Sequence, residues 1–208
     1  MINNEIAKHI YKTEIYQDRD IALYLSFRGK VTIQLIGIYE FSNHYDRQTK
    51  GKDLNKWVDK KLNEALNNDY ISIILGDFNG VPNPKLDRIQ YDINKIEMKI
   101  LKMLTYRGYQ DSYRLFNNTK KEYTFFRKKN GDRIPSSRID QIWISHQHAG
   151  EIIDAFIKPT ETTAYSDHNA TVTYLDIRKW CHNTQYNKNR RHFKNKGLWN
   201  LKGTSQEQ

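Results

Sequence analysis

Three short polar clusters, far apart in the chain, carry residue types that could act together on a phosphate ester. Asp77 and Asn79 lie in Gly-Asp-Phe-Asn, Asp140 in Ser-Arg-Ile-Asp, and Asp167 with His168 in Ser-Asp-His-Asn. Each sits at the end of a segment with strand character, so a shared sheet edge would bring the side chains together. Phosphodiester hydrolysis needs a base to activate water, groups that hold and neutralise the phosphate, and commonly a hard divalent cation. The imidazole of His168 can serve as base once an acceptor holds its other ring nitrogen, and Asp140 is a carboxylate suited to that task. Asp77 would orient the attacking water or assist the leaving oxygen, Asn79 would donate to a phosphate oxygen, and Asp167 suits Mg2+ or Mn2+. Taken singly, these residues also have plainer readings, since Asp and Asn after a strand commonly cap a turn.

The elements that must position them follow from periodicity. Residues 20 to 27 alternate through Ile21, Leu23, Leu25 and Phe27, and Arg28-Gly29-Lys30 supplies a turn into the run Val31 to Tyr39. That pattern predicts a hairpin, and the second run is apolar enough to sit centrally in a sheet. From Lys52 onward, Leu54, Trp57, Val58, Leu62, Ala65 and Leu66 fall at helical spacing, predicting an amphipathic helix of about four turns. Ile71 to Leu75 reads as a short buried strand that ends at Gly76-Asp77-Phe78-Asn79-Gly80. A second helix is expected from about Ile93 to Tyr106, stopped by Gly108, and strands at Tyr123 to Arg127, Arg138 to Ser145 and Ala170 to Leu175. Helices alternating with strands, then strands dominating, predict an α/β body with a mixed sheet.

The 208 residues suit one domain with a core, and 34 lysines and arginines against 24 acids give a formal charge of +10. That balance favours an anionic partner, with nucleic acid first. A single cysteine, Cys181, rules out an internal disulfide framework. Residues 1–19 read as an irregular leader without the apolar core of a signal peptide, and no apolar run approaches membrane-spanning length, so the expected location is intracellular, nuclear or cytoplasmic, without secretion and without a membrane partner. Beyond Asp176 the composition turns basic, with Trp180, Tyr186, Phe193 and Trp199 among the cations; residues 177–208 read as a linker or disordered arm, where Arg190 and Arg191 would meet phosphates. Lys128, Lys129 and Arg133 flank Asn130-Gly131, read either as a hairpin turn or as a phosphate-contacting loop. Arg138 is open between a structural salt bridge and a phosphate contact.

Taken in order, Tyr39, Gly76-Asp77-Phe78-Asn79, Asp111-Ser112-Tyr113-Arg114 with Tyr123-Thr124-Phe125-Phe126, Ser137-Arg138-Ile139-Asp140 and Ser166-Asp167-His168 resemble the motif series of the deoxyribonuclease-I-like endonuclease/exonuclease/phosphatase superfamily. That group includes apurinic/apyrimidinic endonucleases and the endonuclease domains of non-LTR retrotransposons. The resemblance covers roughly residues 20–175 and implies a two-sheet mixed β-sandwich flanked by helices. It implies His168 as base or phosphate-contacting imidazole, Asp140 as its orienting carboxylate and Asp77 as the water-positioning acid. It further implies Asn79 and the Tyr39 hydroxyl at the scissile phosphate, Asp167 at a Mg2+ or Mn2+ site, and DNA as partner.

Members of that superfamily carry, before the hairpin, one strand ending in an asparagine and another ending in a metal-binding glutamate. Neither Glu5 nor Glu14 lies in a matching context, so the expected domain is amino-terminally truncated. Three functions follow: a divalent-metal-dependent DNA endonuclease, a catalytically inactive remnant that binds nucleic acid, or a phosphatase acting on a small or lipid phosphate.

Overall fold

A computed structural model of the chain describes residues 2–89, 98–129, 132–160, 166–178 and 180, apart from the side chains of His44 and Lys129. The predicted hairpin forms from β2 (Asp20–Phe27) and β3 (Val31–Tyr39), and its turn uses positive φ at Gly29 and Lys30. Before it lie a helical turn α1 (Asn4–Ala7) and β1 (Ile10–Tyr16), which pairs antiparallel with β2. The leader is therefore structured. Its charged alternation hid the strand, because Glu14 faces the Lys12 and Lys61 ammonium groups and Tyr16 stacks on Trp57.

After α2 (His44–Thr49), α3 (Gly51–Asn67) buries Leu54, Val58, Leu62 and Ala65, whereas Leu66, expected on the same stripe, is 71% exposed. The strand β4 (Ile71–Asp77) runs two residues further than its apolar core and carries Asp77 inside the ladder. Then come α4 (Pro84–Asp87), α5 (Lys99–Tyr106), β5 (Tyr109–Asp111) and α6 (Ser112–Phe116). Residues 93–97 of the expected second helix lie outside the described residues. The remaining strands are β6 (Phe125–Lys129), β7 (Asp132–Ser137), β8 (Asp140–Ser145), β9 (Ile152–Lys158), which follows the 3-10 turn His146–Glu151, and β10 (Ala170–Leu175). Strands β6 and β7 pair antiparallel across residues 130–131, as the hairpin reading requires.

The main sheet is six-stranded and mixed, in the order β1-β2-β3-β4-β8-β5, with β3 and β4 parallel and the other pairs antiparallel. One face packs on α3 and α5 through Ile36, Ile38, Ile74, Phe78, Leu54, Leu104 and Trp143. The other meets the β9–β10 ribbon through Ile33, Ile73, Ile144, Ile152 and Leu175. Trp180, assigned from composition to the disordered arm, is buried in this second layer at 3% exposure, so the folded body reaches at least that far. Residues 181–208, with Cys181, Arg190 and Arg191, lie outside the described residues.

Arg138 is fully buried and belongs to the framework. Its Nε donates to Asp87 Oδ1 at 2.8 Å, Nη2 reaches Asp87 Oδ2 at 3.3 Å and Asp111 Oδ2 at 2.5 Å, and its backbone N donates to Asp87 O. Arg114 adds a second ion pair to Asp87. A guanidinium with two carboxylate partners and no exposure cannot reach a nucleic-acid phosphate, which corrects that reading of Arg138. Burial alone opposes its charge, but the fields of Asp111 and Asp87 hold it ionised. Breaking such a cluster leaves carboxylates buried and unpaired, so Arg138→Met is expected to lower unfolding free energy by about 3–5 kcal/mol. A urea-unfolding series checks this, and a midpoint close to wild type would show that the cluster bears no weight.

Candidate active site

Backbone pairing at one end of the main sheet lines up the candidate residues. Tyr39 is the register partner of Asp77 in the parallel β3–β4 ladder, and Asp77 is the partner of Asp140 in the antiparallel β4–β8 ladder. Residues directly opposite in a ladder project from the same face, so three side chains from distant segments stand in one row. The ladders continue past the strand ends through Glu40 N to Asp77 O at 2.8 Å and Phe78 N to Ile139 O at 2.9 Å. Gly76 makes the row possible. Its φ is +139°, and a Cβ there would fall 1.9 Å from Ile38 O, so any other residue would push β4 off β3 beside Asp77.

His168 arrives from the segment before β10. Phe126 N donates to Asp167 O and Asn169 N to Thr124 O, which lays residues 167–169 along the start of β6. The imidazole packs against Phe125 with ring centroids 5.2 Å apart, and its Nδ1 lies 2.8 Å from Asp140 Oδ2. Asp140 is held in turn: Thr124 Oγ1 accepts from the Ile139 and Asp140 amides, and Thr171 Oγ1 donates to Asp140 O. The dyad inferred from residue type alone is thus formed, with Asp77 beside it. Ligand atoms of Asp77, Asp140 and His168 all lie within 4.8 Å of one another, a grouping that could hold a metal ion.

Their electrostatics diverge. Burial pushes the Asp77 carboxyl up to about 6; the neighbouring Asp140 charge adds to the rise, and the Asn79 amide, His168 and Arg47 oppose it. His168 moves upward from its usual range, chiefly through its hydrogen bond to Asp140. The arrangement therefore sets an imidazole whose charged form Asp140 favours beside a carboxyl whose protonated form burial favours.

The other expected site residues are placed differently. Asn79, at φ +46°, donates its backbone N to Asp77 Oδ1 at 2.8 Å and its Nδ2 to Glu40 O at 2.7 Å. The turn-capping role thus holds, and the amide expected to donate to a phosphate is bonded to protein backbone. Tyr39 is half exposed, with Arg19 stacked over its ring at 4.6 Å. Asp167 is exposed and lies outside the three-residue cluster, although its charge acts on His168. Glu14 is committed to its ion pairs with Lys12 and Lys61. Sequence reasoning missed Thr124 as the group that seats Asp140, and Arg47; nothing in their spacing marked either one.

A cleft of about 540 Å3 abuts the cluster. It does not include Asp77 or His168 but touches them through Asn79 and Phe125, and it is lined by Arg47, Arg88, Arg127 and Lys128 with Ile134 and Ile139 among them. None of its described lining residues is acidic. Arg133, outside the cleft lining, stands over the Phe126 ring at 4.3 Å and donates from Nη2 to Asn169 Oδ1 at 3.4 Å.

No protein-family profile matches the chain, and no curated protein matches it. Solved structures do. The 3′ phosphatase NExo from Neisseria, bound to a product DNA hairpin, is 19% identical with a TM-score of 0.61, covering 80% of this chain and 71% of that one. The endonuclease domain of TRAS1, a telomere-specific non-LTR retrotransposon, is 18% identical with a TM-score of 0.56, covering 79% and 68%. The AP endonuclease LMAP from Leishmania major is 15% identical with a TM-score of 0.63, covering 84% and 64%. A six-stranded mixed sheet, a second small sheet, flanking helices and these matches agree: the chain has the endonuclease/exonuclease/phosphatase fold.

Proposed function

We propose that the chain hydrolyses phosphodiester bonds in DNA as a divalent-metal-dependent endonuclease. The observation that carries this reading is the convergence of Asp77, Asp140 and His168 at a sheet edge beside a basic cleft. Arg127 and Lys128 in the cleft would neutralise backbone phosphates. His168, oriented through Nδ1 by Asp140, would present its other ring nitrogen as a proton donor and a positive charge to a phosphoryl oxygen. Asp77, with its carboxyl at about 6, would orient the attacking water and take its proton. The hard carboxylate oxygens grouped within 4.8 Å suit Mg2+ or Mn2+. Asp140 would hold that ion, which would neutralise charge developing on the phosphate and leave Asp77 free to take the water's proton. The DNA hairpin bound to the Neisseria phosphatase and the endonuclease domain of TRAS1 support the substrate class. The charge of +10 favours a polyanion over a small or lipid phosphate.

With supercoiled plasmid and Mg2+ or Mn2+, the purified chain is expected to nick, and His168→Ala to slow nicking about 10²–10⁴-fold. DNA binding that weakens steeply with salt, without nicking by the wild-type chain, would identify the silent nucleic-acid-binding remnant instead.

A second expectation concerns pH in the presence of a chelator. Asp77 has a higher pKa folded than unfolded, so the native state binds more protons, and stability from this group falls as pH rises from about 4 through about 6. Asp77→Asn should therefore stabilise the chain by about 1–2 kcal/mol at pH 7.5, after allowance for partial solvent screening. The gain should vanish near pH 4, and denaturant titrations at the two pH values test it; equal stability at pH 7.5 would contradict the burial assigned to Asp77.

A further inference from the structure

The two loops that carry Tyr39 and Asp77–Asn79 meet above the sheet edge, and one guanidinium joins them. Arg47, on α2, donates from Nε to Phe41 O at 2.5 Å and from Nη2 to Asn79 O at 2.8 Å. The same two loops are also joined by Glu40 N to Asp77 O and by Asn79 Nδ2 to Glu40 O. Glu40, 3% exposed, holds its carboxylate on Phe41 N at 2.9 Å and supplies the charge that faces Arg47. Asn79 occupies the left-handed region and has no regular ladder of its own, so its placement depends on these bonds.

We propose that Arg47 is a positioning residue that clamps the Asp77–Asn79 turn onto the Tyr39 loop by bridging the Phe41 and Asn79 carbonyl oxygens. The two acceptors lie on different loops, and a guanidinium reaches both because its N–H groups diverge in a fixed plane. A lysine ammonium at the same place keeps the charge but has no rigid fork to span them. The inference rests on the nuclease reading for its kinetic consequence, though not for the clamp itself.

The test uses the full chain with Arg47→Lys and Arg47→Gln. If the clamp positions the reacting groups, both variants lose about 10–100-fold in kcat for plasmid nicking while KM for DNA stays within about threefold. Retention of wild-type kcat by Arg47→Lys would overturn the proposal, because charge alone would then suffice. A rise in KM with kcat unchanged would also overturn it, since Arg47 would then be a simple phosphate contact. Amide hydrogen exchange supplies a readout that needs no activity. The Glu40 and Asn79 amides, bonded to Asp77, should exchange about tenfold faster or more in both variants, with Ile74 in the core of β4 unchanged. Unaltered exchange at Glu40 and Asn79, or equal acceleration at Ile74, would refute the clamp. A wild-type chain that fails to nick would refute the nuclease reading and leave the exchange result to decide on Arg47.

Discussion

The in-register pairing of β3, β4 and β8 is the constraint on which the site depends. Ladder hydrogen bonds fix the level of each strand, and a slip of one residue would send its side chain to the opposite face. Tyr39, Asp77 and Asp140 therefore form a row without direct bonds among their side chains, and the row is as rigid as the sheet beneath it. Gly76 permits the close approach of β3 and β4 that this row needs. The raised carboxyl of Asp77 follows from the same pairing, because the sheet both buries it and sets the Asp140 charge beside it.

Both flanks of that sheet are stitched by ion pairs that lie outside the Asp77–Asp140–His168 cluster. On the β8 side, Arg138 gathers Asp87 from α4 and Asp111 from β5, so the chain enters β8, and hence Asp140, from a fixed point. On the β1 side, the nearly buried Lys61 of α3 meets Glu14 of β1 and Glu64, with the Tyr24 hydroxyl between them. Buried ions of this sort are stable only when every charge is matched. Each cluster thereby ties elements remote in sequence to one geometry, at the cost of tolerating few substitutions.

Charge is sorted in space as well as in amount. The acids near the site are few and concentrated at the sheet edge around an imidazole, whereas the cleft beside them presents arginines and a lysine without a described acid. The field of the cleft would draw a polyanion toward the place where the carboxylates and imidazole stand. Asp20 and Glu40, buried beneath the Tyr39 loop, hold the Tyr39 and Phe41 amides, and Arg19 and Arg47 offset part of their charge.

The residue types and their order already indicated an Asp–His pair, an acid after a buried strand and a basic chain, because these depend on local periodicity and on pKa ranges intrinsic to the side chains. The hairpin at 20–39 and the helix after Lys52 were legible for the same reason. Strand β1 was not, since its polar alternation becomes meaningful only once Lys61 of α3 lies against it. The fate of Arg138, the bonding of the Asn79 amide to Glu40, the burial of Trp180 and the bridge made by Arg47 were decided by tertiary structure alone. Each turns on which groups from distant segments share a buried volume, and a buried charge or amide must take whatever partner the packing brings to it.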